Sequence, residues 1–128
     1  MSHTNLNAAT ILGGRVLLSA IFILAGIAKI SGYGATQEYM TAMGVPGALL
    51  PLVIALEIGA GGALLLGIRA RLAAVLLALF SVAAALIFHA DLGDAMQRIL
   101  FMKNLAIAGG LLMVAAAGAG RYAVRPNV

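Results

Sequence analysis

Apolar residues along this chain gather into four long runs, each bounded by turn residues or charges: Ala9–Ala28, Leu49–Ile68, Leu72–His89 and Ile99–Gly118. A bilayer with about 30 Å of hydrocarbon is crossed by about 20 helical residues at 1.5 Å rise per residue. Strands of a membrane barrel would alternate in polarity and run to about 10 residues, so these runs predict helices. The expected fold is all-α: an integral membrane four-helix transmembrane bundle, one domain over residues 1–128. Ser31–Ala48 is the only substantial loop, with Gly32, Gly34 and Pro46, and its Ala35–Met43 piece is amphipathic. That piece reads either as an interfacial helix or as an ordinary connector. Gly67–Arg71 is short enough to force the second and third spans antiparallel. Ala90–Arg98, with Asp91 and Asp94, reads as a solvated loop, and Met1–Asn7 and Arg121–Val128 read as disordered tails.

Composition makes the membrane reading firm. The 128 residues are 63% hydrophobic and 9% charged, with a mean hydropathy of +1.10, whereas a soluble domain is nearer about 25% charged. The net charge of +4 comes from residues that flank or interrupt the apolar runs. It speaks of topology and lipid headgroups, and no nucleic-acid partner is expected. The absence of cysteine excludes disulfides, thiol catalysis and cysteine-ligated clusters. The first run lacks a basic leader and a small-residue cleavage site, so it is expected to be retained. With four spans, Arg69, Arg71, Arg121 and Arg125 share a side with both termini, against Lys29 and Arg98 opposite. That asymmetry predicts both termini in the cytoplasm.

The candidate chemistry is the set of polar groups inside the apolar runs. Glu57 sits within the second run, where a charge costs about 2.5–3.5 kcal/mol on insertion scales unless it is paired or hydrated. Arg15 and Lys29 are 14 residues apart on nearly one helical face. Counting rise per residue puts Lys103 about 6 Å and Arg15 about 9 Å from Glu57 along the membrane normal. Lys103 is therefore the first expected partner of Glu57 and Arg15 the second, while Lys29 snorkels to the interface. Arg15, Lys29, Glu57, His89, Lys103 and Asn104 form the candidate cluster, converging on a polar interior open to the outer side. The cluster is either a functional site or an ion-pair network that fixes helix rotation. His89 alone does not make a haem or metal site, so no cofactor and no metal are expected, and the catalytic residues stay unassigned. Phosphate loops, dinucleotide fingerprints, nucleophile elbows and zinc spacings are absent from the sequence. On the same helix Ala55, Gly59, Ala63 and Gly67 recur every four residues. This strip suits close packing within the bundle or, as a second reading, a homo-oligomer.

An ordered set of stretches resembles the DoxX family of small four-helix inner-membrane proteins. It comprises Gly14–Lys29 (Gly-Arg-Val-Leu-Leu-Ser-Ala-Ile-Phe-Ile-Leu-Ala-Gly-Ile-Ala-Lys), Gly44-Val-Pro46, Glu57–Gly67, Phe88-His89 and Phe101–Leu112 with Lys103-Asn104. The resemblance implies a multi-pass protein of the bacterial plasma membrane. It also implies partners in membrane oxidoreductase assemblies, quinol-linked or devoted to oxidative-stress defence, and distant relatives act as assembly factors. The leading expectation is a non-catalytic membrane subunit or scaffold of an oxidoreductase system. Its rivals are a membrane-protein assembly factor, or a small enzyme or carrier that binds a quinone or other apolar molecule in the polar pocket.

Overall fold

The structure, a computed structural model, describes residues 3–125, with side chains from Asn5 onward. Five helices make it up: α1 (His3–Ser31), α2 (Tyr33–Ala42), α3 (Leu50–Leu66), α4 (Ala70–Phe88) and α5 (Ala95–Ala117), with a 3-10 turn at Gly47–Leu49 before α3. Four of them, α1, α3, α4 and α5, are long and apolar enough to cross a membrane. The observed helices lie close to the expected runs, with α1 extended at both ends and α5 begun four residues early. The early start of α5 has a local cause. Asp94 is its N-cap, and its Oδ2 accepts from the Gln97 backbone N–H at 3.1 Å. Asp94 is thus a cap and not merely a loop residue.

The α3–α4 turn is built by Gly67, whose φ of 76° is the left-handed conformation that closes helices. The Gly67 and Ile68 N–H groups both donate to Ala63 O at 2.9 Å. Around the bundle α1 packs on α3, α3 on α4 and α4 on α5, while a lesser contact of α5 with α1 closes the ring. The core combines a few large side chains, Phe22, Leu64, Leu77 and Leu111, with many small ones. On α4, Ala70, Ala73, Ala74, Ala78 and Ala85 are buried, whereas Leu72, Leu76, Leu79 and Leu86 are exposed. Lipid solvates leucine as well as a protein interior does, so close backbone approach and dispersion, not hydrophobicity, decide which face turns inward.

The α1–α3 contact uses Gly26 and Gly61. A Cβ on Gly26 would lie 2.5 Å from Ile58 Cγ1, and one on Gly61 would lie 3.1 Å from Ile23 Cγ1. Gly59 has open space around it, and both Ala55 and Gly59 are exposed. That part of the small-residue strip therefore packs on nothing within the described chain. Gly26→Leu is expected to lower stability by about 2–3 kcal/mol through overpacking, and Gly59→Leu to leave it within about 0.5 kcal/mol. Reversible unfolding in mixed micelles measures both. Equal losses would show that α1 and α3 do not meet at Gly26.

The chain beyond α5 is not a free tail. Val124 N–H donates to Leu66 O at 2.9 Å and Arg125 N–H to Gly67 O at 3.0 Å, so this stretch runs back across the end of α3. At the other terminus α1 already begins at His3, against the disorder expected for Met1–Asn7. Met1, Ser2 and Pro126–Val128 lie outside the described residues.

Candidate functional site

The end of the bundle remote from both termini holds a cavity of about 470 Å³, lined by every helix. Phe22, Ala25 and Lys29 come from α1, Thr36, Tyr39 and Met40 from α2, Val53 and Glu57 from α3, Phe80, Ser81, Ala84 and Phe88 from α4, and Asn104 and Ile107 from α5. His89, the C-cap of α4, completes the polar rim. The α2 segment, either an interfacial piece or a connector by sequence, is a helix whose Thr36, Tyr39 and buried Met40 form one wall. The Tyr39 ring meets Phe88 of α4 with centroids 5.3 Å apart, inside the range of favourable aromatic pairs.

Glu57 is 2% exposed, and its partner is Lys29: Nζ lies 2.8 Å from Oε1. This corrects the expectation of Lys103 first and Arg15 second. The Lys29 side chain is 29% exposed and turns inward along α1 instead of snorkelling to the interface. Gly26, one turn before it, explains why. With no side chain there, α1 comes so close to α3 that a Cβ on Gly26 would lie 3.4 Å from Glu57 Cβ. The buried Oε1 has no well-aligned hydrogen bond, so its compensation is the ionic contact itself.

Arg15 is elsewhere. It is 1% exposed and lies at the opposite end of the bundle. Its Nε donates to Leu64 O at 2.9 Å, one terminal nitrogen to Leu65 O at 2.8 Å, and the other to Ala119 O at 2.6 Å and Tyr122 O at 2.9 Å. Its counter-charge is the negative end of the α3 dipole, shared with carbonyls of the chain after α5. Arg71 does the same for α5, donating to Ala115 O at 3.1 Å and Ala116 O at 2.8 Å. Lys103 is exposed on α5 and outside the cavity wall, although its neighbour Asn104 is in it. The structure thus brings Lys29, Glu57, His89 and Asn104 to one cavity and leaves out Arg15 and Lys103. His89 Nδ1 is engaged with Gln97 Oε1 at 2.9 Å. Among the described residues no group of three His, Asp or Glu side chains is placed to hold a metal ion.

Sequence reasoning missed Thr36, Tyr39 and Ser81 as wall residues, and the Gly26/Lys29 spacing of three was the available signal for the ion pair.

The sequence pattern of the family described as DoxX matches residues 10–90, a stretch that contains Lys29, Glu57 and His89. The chain belongs to the DoxX family. Two proteins of Escherichia coli (strain K12) are similar to it. Inner membrane protein YqjF is 46% identical over 114 residues, covering 89% of this chain and 88% of that protein. Inner membrane protein YphA is 36% identical over 113 residues, covering 83% of this chain and 81% of that protein. No solved structure matches the chain. With four spans of sufficient length, this DoxX-family member is a multi-pass protein of the bacterial inner membrane, with the lipid bilayer as its solvent.

Proposed function

We propose that this DoxX-family protein is a binding subunit. It holds an apolar small molecule drawn from the bilayer in the cavity beside Lys29–Glu57 and serves an oxidoreductase system of the same membrane. The cavity carries this reading. Its volume of about 470 Å³ falls within the usual range of about 300–1,000 Å³ for small-molecule sites, and a mostly apolar wall with a few convergent polar groups is their common character. An ion pair kept in a membrane interior is costly, which marks Lys29 and Glu57 for a role beyond packing. The oxidoreductase association rests on the family resemblance, and a quinone is one molecule of suitable chemistry.

Filling the cavity tests the binding. Ala84→Phe puts a ring into the space, and it is expected to abolish thermal stabilisation by added quinones while leaving the unliganded melting temperature within a few degrees. Stabilisation by quinones that survives this change would place their site elsewhere. Affinity purification in mild detergent tests the association: a stoichiometric redox enzyme supports it, whereas scattered substoichiometric clients favour an assembly factor.

The proposed orientation places both termini in the cytoplasm, with the cavity toward the outer side. A reporter active only in the cytoplasm is then expected to work when fused after Val128 and to fail when inserted at Gly93. The reverse pattern would invert the protein.

A further inference from the structure

The cavity's charge balance narrows what it takes, an inference that rests on the binding role proposed above. Its two ionic side chains, Lys29 and Glu57, are paired with each other and sum to zero. The Ser81 hydroxyl donates to Leu77 O and the Thr36 hydroxyl to Gly32 O, each at 2.8 Å. His89 Nδ1 meets Gln97 Oε1, an acceptor, so the neutral ring carries its hydrogen on Nδ1 and has none to donate from Nε2. That leaves the Asn104 amide, the Tyr39 hydroxyl and the remaining Lys29 N–H groups as donors among the lining side chains. A ligand with an acceptor oxygen meets these surplus donors. One that carries a net charge enters a site already balanced, and either stays uncompensated or breaks the pair and strands its other member.

We infer that the cavity accepts a neutral, ring-bearing apolar molecule whose head presents a carbonyl-type oxygen, and that the Lys29–Glu57 pair rejects charged amphiphiles such as the fatty acids of the surrounding bilayer. The ring preference follows from the wall, where Phe22, Tyr39, Phe80 and Phe88 supply aromatic faces and edges. Mutual pairing makes the site neutral without making it inert. Each ion suppresses the affinity that its partner alone would have for an opposite charge.

The test uses four probes with one apolar body: para-octyl acetophenone, para-octyl benzoate, para-octyl benzylammonium and para-octyl toluene. Affinities are read by thermal-shift titration and native mass spectrometry of the full chain in phosphatidylcholine nanodiscs, corrected for partition into empty discs. The wild-type protein is expected to bind the ketone about tenfold tighter than the hydrocarbon, the worth of one hydrogen bond, and about tenfold or more tighter than either ion. Glu57→Gln is expected to move the preference to the benzoate and Lys29→Met to the benzylammonium. Asn104→Leu, with the pair intact, is expected to shrink the ketone's advantage over the hydrocarbon, and Asn104→Leu with Tyr39→Phe to shrink it further.

If one charge variant fails to fold, the other still reads the inversion. A wild-type protein that binds the benzoate or the ammonium as well as the ketone overturns the inference, as do folded variants that show no inversion. Equal binding of all four probes leaves the cavity a binding site but removes its selectivity. Binding of none removes the binding role itself, and this inference with it.

Discussion

Arg15→Met is expected to lower stability by about 4 kcal/mol, the largest loss among single changes at polar positions. The guanidinium donates four hydrogen bonds to main-chain carbonyls. Bonds to a charged group are worth about 1.5–3 kcal/mol each, and they do not add. What remains after the change is four carbonyl groups beside a side chain with nothing to donate, so the loss includes their desolvation. Arg15→Lys is expected to recover less than half. An ammonium is a compact point charge, whereas these acceptors belong to two separate stretches that a planar fork spans. Unfolding in mixed micelles gives the free energies, and protease digestion should show the stretch after α5 released in Arg15→Met. A variant as stable as the wild type would mean that water or lipid headgroups replace the guanidinium at no cost.

Glu57→Gln is expected to cost about 2 kcal/mol. Breaking a fully buried pair costs about 3–5 kcal/mol. Here the survivor is Lys29, whose partial exposure allows its ammonium to move toward the interface and recover hydration. Lys29→Met alone is the harsher change, because it strands a carboxylate that is almost wholly enclosed. The double variant is expected to be more stable than Lys29→Met, since no lone charge remains. A double-mutant cycle in nanodiscs measures the coupling. Cycles of Glu57→Gln with Lys103→Met or Arg15→Met are expected to be additive, because neither residue touches Glu57. Additivity in the Lys29 cycle as well would mean that water shields the pair.

The four spans were legible because hydropathy along a line is what a bilayer reads. The identity of the ion pair was not. Depth along the normal favoured Lys103, but pairing is decided by rotation about the helix axes. On α5 that rotation sends Asn104 inward and Lys103 outward. The close approach of α1 to α3 was written in Gly26, a signal that acquires meaning only beside the side chains of a second helix. By sequence Arg15 is a candidate for Glu57, because sequence shows side-chain charges and hides helix-end carbonyls. Its real acceptors are backbone groups, invisible to any count of residue types. The return of residues 119–125 over the α3 end escaped for the same reason: Ala119 and Tyr122 contribute only their carbonyls.

The Arg15 contacts also set an order of events during synthesis. Arg15 lies on α1, which is synthesised before α3, α4 and α5, while two of its acceptors, Ala119 and Tyr122, follow α5. Throughout translation α1 therefore carries a cation whose coordination is incomplete. Leu64 and Leu65 become available once α3 is in place, and the rest only when the chain has passed α5. A chain cut short before Ala119 keeps all four spans and lacks the final ligands of Arg15. The guanidinium thus makes full satisfaction of α1 depend on two later stretches, the end of α3 and the segment after α5.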